Sequence, residues 1–145
     1  MSDEEVRDFL GEKMVMQCAT TGPRGLPHMA PLWFVADGPG ELRGWTYAKS
    51  QKAKNLERDP RATLGLEDGV QYHELRGVMF ECDVRIERDP PAVERFGLEL
   101  FERYAGELND DIRAMVAKQA QKRVGLTFIP TRTVTWDHHK LHGAY

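Results

Sequence analysis

Between Val78 and Glu87 the chain alternates without a break. Val78, Phe80, Cys82, Val84 and Ile86 are apolar, while Met79, Glu81, Asp83, Arg85 and Glu87 stand between them. A period of two puts one set of side chains on a dry face and the other on a wet one, which describes a half-buried β-strand. Shorter runs read the same way: Met14 to Thr21, His28 to Asp37, Glu41 to Ala48 and Arg61 to Glu67. Gly22-Pro23-Arg24-Gly25 and Asp37-Gly38-Pro39-Gly40 supply turns between them. Pro31 suggests an edge or a bulge in the second strand. Val124 to Ile129 and Thr133 to Trp136 read as one or two last strands around Pro130.

Helices are inserted in this pattern. Ser2-Asp3-Glu4-Glu5 fits a capping box ahead of Val6, Phe9 and Leu10, and Gly11 is the expected stop. Pro90-Pro91 precedes Val93, Phe96, Leu100, Phe101 and Tyr104 at helical spacing. Asn109 caps a further helix that carries Asp110 and Asp111 in its first turn and Lys118, Lys122 and Arg123 near its end. Short strands, tight turns and a few inserted helices predict a mainly β fold, a small β-barrel. At 145 residues the chain is read as one domain, 1–145.

A net charge of -3 argues against a general nucleic-acid binder, so any positive cluster has to act locally. No run is long and apolar enough to span a membrane, and the acidic start lacks a signal peptide's features, so a cytoplasmic protein is expected. Cys18 and Cys82 fall in apolar segments and read as buried free thiols.

The positive cluster is KSQKAKNLERDPRA, Lys49 to Ala62. Ser50 is a plausible N-cap, and Asp59-Pro60 ends the helix. Lys49, Lys52 and Lys54 crowd its start, where free N–H groups and the macrodipole are already positive. Such a start suits a phosphate, held by backbone amides, the Ser50 hydroxyl and an ammonium. Lys52 is the first candidate, with Ser50 and Lys49 next, and Asn55 ties the helix to the neighbouring strand. The competing reading is a solvated helix with lysines in water. The glycines of a Walker loop or a Rossmann turn are missing.

Four segments in this order resemble the pyridoxamine-phosphate-oxidase-like, FMN-binding split β-barrel family. They are Gly25 to Phe34, Lys49 to Ala62, Tyr72 to Val78 and Thr135 to Leu141. The last is similar to the carboxyl-terminal motif of the actinobacterial flavin/deazaflavin oxidoreductase branch, B type. The resemblance implies a homodimer with two cofactors in clefts between the subunits. It implies the deazaflavin F420, with FMN as the alternative, and hydride transfer to a small conjugated molecule. By matching position, Lys52 contacts the cofactor phosphate and Ser50 lines the same pocket. Thr46 and Tyr47 lie under the cofactor's tail or ring, and Trp33 and Trp136 wall the ring, from opposite subunits in one arrangement. The chain is shorter than the pyridoxamine-phosphate oxidases themselves and lacks a recognisable full set of their substrate-phosphate arginines, which argues against vitamin B6 oxidation. A cofactor-binding protein without turnover is the reading from a different class.

No catalytic triad or carboxylate pair stands out, as expected where the cofactor carries the chemistry. His138, His139 and His142 lack the cysteine or carboxylate frame of a zinc site, and no metal is expected. Tyr47 or His73 is a candidate proton donor, and His28 reads as an ordinary strand residue.

Overall fold

The structure is a computed structural model that describes residues 1–37 and 40–144. Among the described residues four α-helices, α1 (Asp3–Glu12), α2 (Gln51–Arg58), α3 (Pro90–Ala105) and α4 (Asp110–Ala120), and two short 3-10 helices, Tyr72–Glu74 and His138–Leu141, accompany seven strands. The strands are β1 (Met16–Thr21), β2 (Pro27–Leu32), β3 (Val35–Ala36), β4 (Leu42–Tyr47), β5 (Arg61–Asp68), β6 (Arg76–Glu87) and β7 (Arg123–Asp137). They form one antiparallel sheet in the order β2-β1-β5-β6-β7-β4-β3.

That order contains its own closure. β2 and β3 are opposite edges of the sheet, yet only Trp33 and Phe34 separate them in the chain. A link this short reaches roughly 10 Å. The sheet therefore curls until its edges nearly meet, giving the mainly β, split-barrel architecture. The expected continuous strand from His28 to Asp37 is instead two strands with a crossover. At the crossover the ladder is replaced by side chains of α3. The Phe34 N–H donates to Tyr104 Oη at 3.0 Å, and the Arg103 guanidinium donates to the Phe34 carbonyl. Arg103 also reaches the carbonyls of Leu10 (2.8 Å) and Lys13 (2.6 Å), and Tyr104 Oη donates to that of Met14. Side chains of α3 thus give the Phe34 N–H and carbonyl the partners that a strand ladder would otherwise supply.

β7 is a single strand. Pro130 faces Cys82 while Arg132 faces Glu81, so Thr131 is the extra residue of a bulge. Pro130 has no N–H to offer a ladder, and the bulge accommodates it. Thr131 Oγ1 instead donates to the Glu81 carbonyl at 3.1 Å. Nor does Gly11 end α1. The helix runs on to Glu12, and Lys13, in extended conformation, caps it through its N–H to the Phe9 carbonyl. β1 begins at Met16 rather than Met14. The expected Asp37–Gly40 turn includes Gly38 and Pro39, which lie outside the described residues; the Gly40 N–H donates to the Asp37 carbonyl at 3.2 Å.

The barrel interior is filled by residues such as Cys18, Leu64, Phe80, Leu126 and Phe128, with Phe9 and Leu10 of α1 and Leu56 of α2 joining the same core. Cys18 and Cys82 are both free and buried. They sit on strands that flank β5, two ladder spacings apart, or roughly 9–10 Å, beyond disulfide reach. A second, smaller core lies outside the barrel wall, where Trp45 packs under Val93, Leu100, Val116 and Ala120 of α3 and α4.

Candidate functional site

The start of α2 combines several donors. Ser50 is the N-cap, its Oγ accepting from the Ala53 N–H at 3.1 Å and lying 3.3 Å from Thr46 Oγ1. The first turn holds no acidic residue, unlike those of α1 and α4. The Gln51 and Lys52 amides precede the first intrahelical donor, the Lys54 N–H that reaches the Ser50 carbonyl at 3.1 Å, and stay available. Lys52, Ala53, Asn55 and Leu56 form the buried face of the helix. Lys52 is only 6% exposed, and its ammonium makes no hydrogen bond or ion pair with any described residue. Burial holds its pKa below the usual lysine value, opposed only by the nearby Cys18 thiol. That thiol is itself pushed up to about 11 by burial. The stem is buried while Nζ keeps some contact with solvent, so a partly desolvated cation without a protein partner among the described residues lies where an anion can reach it.

Lys49 and Lys54, by contrast, are exposed, and for them the solvated-helix reading suffices. Asn55 is fully buried. Its amide donates to Thr20 Oγ1 on β1 at 3.1 Å, and its carbonyl oxygen accepts from Gln51 Nε2 at 2.7 Å and from Arg58 at 3.4 Å. It pins the helix to the barrel, as its sequence position suggested.

Strand alternation separates Thr46 from Tyr47. Thr46 is buried beside Ser50, whereas Tyr47 is exposed on the other face, with the Arg123 guanidinium 3.9 Å from its ring centroid. The same guanidinium lies 4.6 Å from the Trp45 centroid. Trp33 stacks on Tyr104, nearly parallel at 4.2 Å. Trp33, Trp45, Phe101, Met115, Gln119 and Arg123 line a cavity of about 350 Å³. Trp136 belongs elsewhere. It packs over Gly77, where an added Cβ would come within 2.3 Å of the indole, and lines an apolar cavity of about 420 Å³ with Gln17, Met29, Gly65 and Leu66. The two cavities share no residue. The cavities adjoin along the outer face of β2, where Pro31 lines the first and Met29, two positions earlier, lines the second. Within one chain Trp33 and Trp136 line separate cavities. A third cavity, lined by Thr21, Arg61, Glu81, Asp83 and Thr131, mixes both charges and offers no single sign to a ligand.

In the sequence Arg123 is only a cation near a helix end. What makes it part of a cavity is the β4–β7 register, which sets it opposite Tyr47, and no local sequence signal encodes that pairing. Among the described residues no group of three or more His, Cys, Asp or Glu side chains is placed to hold a metal ion. His139 Nδ1 pairs with Asp137 at 2.9 Å, and His138 Nδ1 lies 2.6 Å from the Tyr72 carbonyl. His73 is exposed, and His28 keeps a buried Nδ1 without a hydrogen-bond partner.

The family model for pyridoxamine 5'-phosphate oxidase matches residues 2–137. The chain belongs to the pyridoxamine 5'-phosphate oxidase family. Among solved structures, this member of the family resembles a conserved hypothetical protein from Mycobacterium tuberculosis. The two are 44% identical over 100% of this chain and 90% of the other, with a TM-score of 0.89. An F420 reductase is 26% identical over 88% of this chain and 94% of its own, with a TM-score of 0.71. A heme storage protein from Vibrio cholerae, 20% identical over 92% of each chain with a TM-score of 0.70, shares the fold. A comparison with curated proteins returned no match. Among the described residues no helix is long and apolar enough to cross a membrane.

Proposed function

We propose that this family member is a cytoplasmic oxidoreductase of the B-type flavin/deazaflavin branch, holding F420 by its phosphate at the start of α2. The observation that carries the reading is Lys52, whose stem is buried and whose ammonium has no partner among the described residues, beside a capped helix start. The donor set fits a phosphate. Lys52 supplies charge, the Gln51 and Lys52 amides point outward from the first turn, and the Ser50 hydroxyl keeps a proton to donate while its oxygen serves Ala53. Thr46 steadies Ser50, and Asn55 acts by fixing the helix to β1. Lys49, exposed, adds charge at the rim. The resemblance to an F420 reductase supports the choice of deazaflavin.

When bound in reduced form, the deazaflavin supplies a hydride, and a small conjugated acceptor takes it together with a proton. The protein's part is to hold the phosphate, exclude water and fix the ring against the acceptor. Two copies of the chain form the cleft in this reading, which sets Trp33 and Trp136, at separate cavities of one chain, on either side of the ring. Tyr47, facing Arg123, is the candidate proton donor.

The test is a fluorescence titration of the purified protein with F420. Saturable binding at micromolar concentration or below is expected, with Lys52→Ala weaker by about 30-fold or more, the scale of losing a buried charge pair. A protein that purifies yellow with FMN and ignores F420 transfers the phosphate site to FMN. Tight F420 binding without turnover on enones or quinones makes the protein a cofactor carrier.

A further inference from the structure

The cavity behind Trp33 has its own chemistry. Its indole is held from one side by Tyr104, whose hydroxyl is fixed by the Phe34 N–H and the Met14 carbonyl. Phe101 meets it edge-on at 5.9 Å. Trp33 nevertheless remains 44% exposed, a large aromatic surface left open by a rigid support. Arg123 completes the wall. Its guanidinium lies over both Trp45 and Tyr47, and its Nε donates to Gln119 Oε1 at 3.3 Å. It makes no ion pair with any described carboxylate. A guanidinium stacked on aromatic faces keeps its outer N–H groups in one plane, the geometry that reads a carboxylate with two parallel bonds. At about 350 Å³ the space is near the lower limit of small-molecule sites, which excludes a peptide or a large cofactor and suits one or two fused rings.

We infer that this cavity binds a small planar carboxylate, its conjugated or aromatic ring against the open surface of Trp33 and its acid group on Arg123. Such an acid is then the class of hydride acceptor for the enzyme. That role rests on the cofactor reading, in which Trp33 borders both molecules; the binding itself does not.

The experiment is calorimetric titration of the cofactor-free protein with 2-naphthoate and with 2-naphthylmethanol, which keeps the rings and lacks the charge. One-to-one binding of the acid is expected, at least 10-fold tighter than the alcohol. Arg123→Gln should weaken the acid at least 10-fold and erase its advantage. Met115→Trp, at a position lining the cavity on α4, should block both ligands by filling the space; its thermal melt, and that of Arg123→Gln, establishes that each variant is folded. No saturable binding of the acid up to millimolar concentration, equal affinity for acid and alcohol, or an Arg123→Gln variant that binds like the native chain would each overturn the assignment. Because no F420 is present, failure of the phosphate site cannot imitate any of these results, and failure here leaves the phosphate site standing.

Discussion

Lys52 has the burial of a core residue and the charge of a surface one. A lysine kept for structure earns its place through a carboxylate or a carbonyl, and Lys52 touches neither among the described residues. Its cost in the ligand-free protein is therefore recoverable. Lys52→Met keeps the stem and removes the charge, and should leave stability unchanged or raise it by up to about 2 kcal/mol, as replacing buried charge by apolar groups often does. The pH dependence has a definite sign. Burial depresses the folded-state pKa below 10.5, so the unfolded chain binds the proton more tightly. The penalty is then full below the folded pKa and fades as pH rises toward 10.5. The advantage of Lys52→Met, read from urea denaturation, should shrink over that window. A loss of stability at neutral pH would show that Lys52 supports the fold. Residue types identified this lysine as the leading candidate for an anion, but not its separation from Lys49 and Lys54. That separation depends on which helical face the barrel covers.

At the scale of elements, α3 is legible by period, α4 by its cap and the charges at its ends, and β6 by its wet-and-dry alternation. The break at Trp33–Phe34 is not. Nothing in Trp-Phe-Val-Ala interrupts a strand; Arg103 and Tyr104, about seventy positions away, replace the ladder there. Pro130 signalled an irregularity without telling a bulge from an ending, because that depends on the register against Glu81 and Cys82. α3 also makes a close approach that only glycine permits. A Cβ on Gly97 would lie 2.4 Å from Trp45 Cζ3 and 2.8 Å from Val116 Cγ1. Alanine in mid-helix gains about 1 kcal/mol in propensity, while overpacking a core costs about 1–3 kcal/mol. The ring is held on both sides and cannot turn cheaply, so the clash wins. Gly97→Ala should lower the melting temperature by up to about 6 °C, corresponding to a net loss of up to about 2 kcal/mol in a chain of this size. A rise in melting temperature would mean that Trp45 shifts freely and the wall of the Arg123 cavity is soft.

The whole molecule raises the question of how one cofactor meets both tryptophans. The chain ends are drawn together, with the Met1 ammonium donating to Thr135 Oγ1 at 2.8 Å and Lys140 bound to both Glu5 oxygens at 2.7 and 2.8 Å. That tie fixes the Thr135–Trp136 end of β7 beside α1, whereas α2 is pinned to Thr20 by Asn55. In the shared-cleft reading, the Lys52 and Trp136 of one cofactor site come from two copies. Subunit mixing tests this without a liganded crystal. Lys52→Ala and Trp136→Ala should each bind F420 poorly alone. After equal amounts are unfolded and refolded together, half the dimers are mixed, and each mixed dimer carries one doubly altered site and one intact site. About a quarter of the native high-affinity capacity should return, readable by fluorescence titration. If both residues served one site within a single chain, every mixed dimer would contain two damaged sites and no capacity would return. A protein that scatters as a monomer at the same concentration would also remove the basis for a shared cleft, while leaving the Lys52 phosphate site to be judged by its own titration.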